Sequence, residues 1–440
     1  MTYIFLKDIG KYLNKTITLK GWIFNFRSSG SIYFIQFRDG TGKIQSIVSK
    51  KEVSDAVWQS CQKLTIETSA EITGKVYEER RSPYGYEMAV SNFKIISLAE
   101  EYPIAKKEHG PDFLMNYRHL WLRSPRQAAI LKIRDEIIWA IRSFMRENNF
   151  ILTDSPILTP TSCEGTSTLF KTDYFGEPAY LSQSGQLYLE ATIYSLGRVY
   201  DFGPTFRAEK SKTRRHLTEF WMMDAEAAFV EHEENMKIQE NLISYIVKQV
   251  LENRRRELEV LERDIKPLEK IKPPFDKITY DQAIKLLNKN GVKAKWGDDF
   301  GGDEETIISK SFDKPVFIEK YPAKIKAFYM KSDQNDERLV LNSDLIAPEG
   351  YGEIIGGSQR IDDLETLERK IKEFSAQGGP ASGGKLLKKE YQWYLDLRRY
   401  GSVPHSGFGL GIERTVAWLC GLSHIRESIP FPRLINRLRP

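Results

Sequence analysis

The chain has 440 residues, of which 41% are hydrophobic and 28% charged, a composition ordinary for a globular protein and long enough for two or three domains. A formal charge of +5 permits an anionic partner such as RNA without requiring one. The three cysteines, Cys61, Cys163 and Cys420, show no CxxC spacing, which argues against a zinc site or a disulfide framework. No segment approaches the roughly 18 apolar residues of a membrane span, and the opening MTYIFLKDIGKYL does not read as a leader. The expectation is a cytoplasmic protein with no membrane attachment.

Residues 16–98 alternate apolar and polar side chains in short runs separated by turn signals, with one helical stretch at about 52–63. Five or so strands and a helix suggest a small barrel of the OB type, whose strand 2–3 face binds oligonucleotides. Trp22, Phe24, Phe34 and Phe37 read mostly as barrel core, but the alternation in SIYFIQF sets Phe34 on the face opposite Tyr33 and Ile35. One exposed aromatic there is enough to stack a base. Residues 101–125, rich in prolines, charges and aromatics, read as a hinge. Residues 127–147 then place Ile130, Ile133, Ile137, Ile141 and Phe144 at steps of three and four, one apolar helix face.

Next, residues 199–229 form two alternating runs around a tip carrying Lys210, Lys212, Arg214, Arg215 and His216, an antiparallel hairpin with a cationic loop. A charge run is usually solvated surface, but here Arg207 and Glu209 precede the tip and Phe220 follows it. A guanidinium takes a phosphate in bidentate fashion, an aromatic ring faces a purine, and a carboxylate accepts from an exocyclic amine. Together they describe a nucleotide site without a Gly-rich loop. Residues 231–261 read as one long helix whose basic run 254–256 is a solvated face, and 265–314 as a smaller insert. The runs KPVFIEKYP, IKAFYMK and RLVLNSDLIAP then return as strands.

The segment FRAEKSKTRRHLTEF resembles motif 2 of the class II aminoacyl-tRNA synthetases, in their aspartate/asparagine/lysine subgroup. Residues 407–414 (GFGLGIER) resemble motif 3, and residues 150–160, with Pro156, resemble motif 1. The resemblance implies an α+β protein: an OB-type anticodon-binding barrel over 1–100, a hinge over 101–125, and a catalytic domain on a mainly antiparallel sheet over 126–440, with a small insert at about 262–314. It also implies a homodimer whose interface includes the helix and strand leading to Pro156. Arg27, Phe34 and Gln45 match positions that hold the middle anticodon base of tRNA, Phe34 by stacking and the other two by hydrogen bonds.

The implied reaction is in-line attack of an amino-acid carboxylate on the α-phosphate of ATP, which needs positioning and charge neutralisation more than a base. Arg207 matches the arginine on the α-phosphate and the carboxylate. Glu209 and Phe220 match adenine contacts, His216 and Arg414 the γ-phosphate end, and Arg414 also covers the second face of the adenine. Asp344 and Glu353 match the two acidic ligands of Mg2+. Glu353 and Arg360 lie seven apart, so for both to reach the site the strand needs a bulge, expected at Gly356 and Gly357. For the amino acid, Glu164 and Gln186 match residues near its amino group and Arg360 the arginine on its side-chain oxygen. Leu189 stands where aspartyl enzymes carry a lysine, and the segments APEGYGEIIGGSQR and IPFPRLINRLRP resemble the asparaginyl enzymes. Asp224 points the other way, since asparaginyl enzymes usually have Glu there. The expectation is asparagine; an aspartyl enzyme, one charging both tRNAs, or a non-aminoacylating paralogue are the alternatives.

Overall fold

In the N-terminal part of the chain, β-branched and aromatic residues at every second position build strands that each bury one face. A computed structural model describes residues 4–82, 84–104, 107–160, 163, 169–211, 213–376 and 391–440. The chain divides into two compact units, Met1–Tyr117 and Arg118–Pro440.

In the first unit, β1 (Thr16–Ser29), β2 (Ile32–Arg38), β3 (Lys43–Ser49), β4 (Ser69–Glu78) and β5 (Tyr86–Ser97) close into a barrel in the order β1-β2-β3-β5-β4. A helix, Asp55–Gln62, packs on β5, its first turn capped by the Ser54 hydroxyl accepting from Val57 N–H. Ile17, Leu19 and Ile23 point inward from β1 and meet Ile35 and Phe37 of β2 and Ile44 and Val48 of β3. Of the four aromatics expected there, only Phe37 is core; Trp22 is 39% exposed, Phe34 is half-buried, and Phe24 lies 3.4 Å under the Lys43 ammonium. The reason is a β-bulge: Ile23 pairs with Phe37 and Asn25 with Gln36, so Phe24 is an extra residue and the inside–outside parity of β1 inverts after it. Beyond the bulge Phe26 packs on the core and Arg27 turns outward, directly opposite Phe34.

The second unit contains β6 (Ile151–Leu152), β7 (Leu158–Thr159), β8 (Lys171–Tyr174), β9 (Glu177–Leu181), β10 (Arg198–Tyr200), β11 (Gly203–Phe206), β12 (Glu219–Ala228), β13 (Asp276–Thr279), β14 (Val316–Glu319), β15 (Asn342–Ala347), β16 (Gly352–Gln359) and β17 (His405–Gly411). Its main sheet runs β13-β14-β15-β16-β17-β12-β10-β6, with β11 paired to β12; only the end pairs β13/β14 and β10/β6 are parallel. Met223, Ala225 and Ala227 of β12, Ile355 of β16, and Phe408 and Leu410 of β17 form the buried face. Against it lie the helix Pro125–Glu147, presenting the isoleucine stripe expected, and the helices His232–Asn253 and Ile412–Cys420. The alternate residues of the same strands face the site.

Three expectations change here. The helix over 231–261 breaks at Arg254, whose guanidinium leaves the helix to reach Glu136 at 2.9 Å and the Lys132 carbonyl at 3.2 Å, so this arginine is not simply solvated. The insert already contributes a strand before those expected to return to the sheet: Asp276–Thr279 extends the main sheet as β13, and Tyr280, Leu287 and Ile308 share one core with Ile318 and Ile346. The run IKAFYMK, residues 325–331, forms one isolated bridge, Met330 to Arg360, instead of a strand.

Candidate active site

Two neighbouring strands, β16 and β17, put glycine where side chains would fill the exposed face of the sheet. Gly356 of β16, Gly409 of β17 and Asp224 of β12 stand in one cross-strand row; Ser358, Gly407 and Glu226 stand in the next. A Cβ on Gly409 would lie 2.6 Å from Asp224 Oδ1, and one on Gly356 would lie 3.0 Å from Glu353 Oε1 and 3.8 Å from Asp344 Oδ1. The glycines thus keep a shallow floor open, with carboxylates and guanidinium groups rising at its margins.

Strand parity explains which side chains reach that floor. In the pairing of β15 with β16, Leu345 meets Ile355 while Ile346 meets Glu353, so the bulged residue is Ile354. The bulge expected at Gly356 and Gly357 is therefore displaced toward the start of the strand, and those glycines pair regularly with Asp344 and Ser343. Its effect is as expected: Glu353, Gly356, Ser358 and Arg360 fall on one side.

The residues expected at the phosphates, Arg207, His216, Asp344, Glu353 and Arg414, lie close enough to act on one another's charge. Arg414, at the start of the helix Ile412–Cys420, donates to the Glu353 carbonyl at 2.9 Å and its Oε2 at 3.2 Å. Burial pushes the Glu353 carboxyl up, but Arg414, Lys326 and Arg207 outweigh it and hold it below its ordinary value. Asp344 is raised by burial against the Lys326 ammonium, which sits 2.6 Å from its Oδ2. His216 is exposed at the loop tip, hydrogen-bonded to Thr213, and crowding together with the Arg414 charge holds its imidazole below 6.5. Arg215, in contrast, is spent on structure, tying the loop to Glu305, Thr306 and Gly350. A cavity of about 280 Å³ opens beside Arg414, walled by Arg214, Arg215, Tyr351 and His424.

At the hairpin, Arg207 N–H donates to the Thr218 carbonyl at 2.9 Å, fixing the strand that carries it. Phe220, half-buried, packs against Leu217, Ile425 and Ile429. Glu209 Oε1 is buried and accepts no hydrogen bond from the described residues, an orphan acceptor of the kind a ligand amine would satisfy. Glu413, one residue before Arg414 and 1% exposed, takes Arg134 at 2.8 Å and Trp221 N–H at 2.9 Å. Nothing in a lone Glu before an Arg announces that role; it fixes the helix that presents Arg414.

Of the residues expected at the amino acid, Gln186 and Asp224 both bond Ser184 Oγ, and Arg360 is neutralised by Glu226. Asp224 Oδ2 accepts from Ser184 Oγ at 2.7 Å and Gly185 N–H at 2.9 Å. Arg360, 3% exposed, donates to both oxygens of Glu226 at 3.0–3.3 Å and to Ser358 Oγ at 2.6 Å. Glu226 was not among the expected site residues, although its place two residues after Asp224 on an alternating strand puts it on the same face. Asp201 was also missed: burial, then the charge of Asp224, pushes its carboxyl up to about 8. Gln186 Nε2 donates to Glu190 Oε1 at 3.0 Å, while Leu189 packs with Ile193 and Val199. Glu164 lies outside the described residues.

Asp344 and Glu353 are hard oxygen donors converging on the gap over Gly356, a set that suits Mg2+, which takes one or two carboxylates plus substrate phosphates. On the barrel, the Arg27 guanidinium lies 4.5 Å from the Phe34 ring centroid, and Gln45 Nε2 donates to Glu87 Oε1 at 2.7 Å. These side chains share the outer face of β1, β2 and β3.

Residues 110–435 match the family model of class II tRNA synthetases (D, K and N), and residues 17–96 match the OB-fold nucleic acid binding domain. The chain is 57% identical to the asparagine–tRNA ligase of Desulforamulus reducens, covering 99% of each chain, and 55% identical to that of Symbiobacterium thermophilum, covering 100% of each. It is similar in structure to asparaginyl-tRNA synthetase from Pyrococcus horikoshii crystallised with asparaginyl-adenylate, with a TM-score of 0.95, 45% identity and 100% of both chains covered. By its three motifs, its open glycine floor and these full-length matches, the chain belongs to the class II tRNA synthetase family of the D, K and N type.

Proposed function

We propose that this chain joins asparagine to tRNA, first activating the amino acid with ATP as asparaginyl-adenylate and then passing it to the tRNA, and that it works in the cytoplasm as a homodimer. The observation that carries the reading is full-length similarity to asparagine–tRNA ligases together with a structural match to one crystallised with its adenylate.

The charged groups divide the work. Arg207 binds the α-phosphate and the substrate carboxylate, bringing the two reacting atoms into line and neutralising the charge that develops between them. Glu209 takes the adenine amine on its orphan oxygen, with Phe220 and Arg414 against the two faces of the ring. Arg414 and His216 hold the far phosphates. Asp344 and Glu353 hold Mg2+, and the ion, when bound, supplies charge neutralisation along the phosphates. Lys326 partly compensates Asp344 in the absence of that ion. Gln186, Asp224 and Arg360, with Glu164, take the amino acid, and Arg27, Phe34 and Gln45 take the anticodon. No described helix is long and apolar enough to cross a membrane. Charging of tRNA with labelled asparagine tests the whole reading: asparaginyl-tRNA should accumulate with ATP and Mg2+, and its absence with active protein would overturn it.

A further inference from the structure

Behind the amino-acid end lies a charged cluster that the reaction as described does not use. Glu190, on the helix Gln186–Leu196, is 0% exposed, and its Oε2 accepts from Arg398 Nη2 at 2.6 Å and Tyr394 OH at 2.7 Å and lies 3.1 Å from His405 Nε2. Its other oxygen takes the Gln186 amide. Arg398 and His405 are themselves buried; Arg398 donates to the Ile361 carbonyl, and its Nη1 finds no partner among the described residues. Glu190 is thus the carboxylate that compensates this guanidinium. A buried charge without such compensation is strongly disfavoured.

The cluster touches the site in two places. The His405 carbonyl accepts Arg360 N–H at 3.0 Å, so the residue that orders Glu190 also seats the arginine expected on the substrate side chain. Because Gln186 gives its amide N–H to Glu190, its carbonyl oxygen is turned away from Glu190, the polarity that suits a substrate ammonium group. Electrostatically, Glu226 and Glu190 both favour the charged form of Arg360, against its burial.

We propose that Glu190 is a positioning residue that sets amino-acid selectivity: its buried negative charge cancels Arg398, so that the pocket offers no net attraction to a carboxylate side chain and admits the neutral amide. The proposal rests on the asparagine reading given above. A carboxylate ligand competes for positive potential, and an amide does not. Fixed charge behind Arg360 therefore discriminates between two side chains of nearly equal shape.

Glu190→Gln tests this by removing the charge while keeping the volume. The new amide keeps its oxygen toward Arg398 and Tyr394 and turns its N–H toward Gln186, whose own amide rotates to accept it. That rotation weakens ammonium binding for both amino acids alike and drops out of their ratio. The readout is amino-acid-dependent pyrophosphate exchange with asparagine and aspartate, compared as kcat/KM. The asparagine-to-aspartate ratio should fall by about tenfold to a hundredfold, the scale of one charge in a partly desolvated site. Arg398→Gln should move the ratio the opposite way, and serves if Glu190→Gln does not fold. Tyr394→Phe removes a hydrogen bond without a charge and should leave the ratio in place. An unmoved ratio in both charge variants, or an equal shift in Tyr394→Phe, overturns the proposal. A wild-type protein that does not prefer asparagine fails the earlier reading instead, before any variant is made.

Discussion

At the scale of single residues, the site is an arrangement of compensated charges: Glu353 faces Arg414, Asp344 faces Lys326 and Arg360 faces Glu226, while the orphan oxygen of Glu209 awaits a donor. On the proposed reading, Arg207 is the member whose loss should be felt most in the chemistry, because the charge it neutralises builds up as the carboxylate attacks the α-phosphate. Arg207→Ala should lower adenylate formation by about a hundredfold to a thousandfold, as loss of one preorganised donor does elsewhere, while the melting temperature and tRNA affinity stay near wild type. Pyrophosphate exchange measures it, and an unchanged rate would move the site elsewhere. Asp201 gives a pH prediction. Its carboxyl is raised from 3.8 to about 8 by burial and by Asp224, so the folded protein holds a proton that the unfolded chain releases. Stability from this group therefore declines as pH rises between about 4 and 8 and levels off above. Asp201→Asn removes that slope: wild type minus variant in unfolding free energy should fall steadily with pH in denaturant titrations. A difference independent of pH would show that Asp201 ionises normally.

At the scale of elements, bulges decide what the site is made of. Ile354 puts Glu353 on the same side as Arg360, and Phe24 turns Arg27 out beside Phe34. Phe34→Ala should weaken tRNA binding by about 1–3 kcal/mol through loss of one base stack, leaving adenylate formation unaffected; filter binding reads the first and exchange the second. Equal tRNA affinity would assign Phe34 a structural role on the barrel. Alternation made the barrel, the hairpin and the isoleucine helix legible, since each depends only on the spacing of apolar residues. The bulges were not legible in place: a bulge adds a single residue, and Phe24 and Ile354 look like any other strand positions. Nor were the partners of Arg360 and Glu190 legible in full, because they come from positions 134 and 208 residues away in the chain. Glu226 could have been found by stepping two residues from Asp224; Arg398 gave no such signal.

At the scale of the whole molecule, the second unit leaves large apolar side chains uncovered, among them Trp139 at 63%, Phe175 at 93% and Phe229 at 74%. The edge strand β6 exposes both Ile151 and Leu152. Exposed apolar groups and a half-paired edge are features a partner covers, and motif 1 lies among them. Sedimentation should give twice the 50.9 kDa chain mass, and Ile151→Glu should shift the protein toward the monomer; a monomeric wild type would contradict the dimer. Selection of asparagine over aspartate is read from amino-acid-dependent exchange of pyrophosphate into ATP by the unmodified protein. With Asp224 and Glu190 opposing a second carboxylate, asparagine should be favoured by roughly thirtyfold to a thousandfold in kcat/KM. Comparable exchange with aspartate would show that the site does not select asparagine.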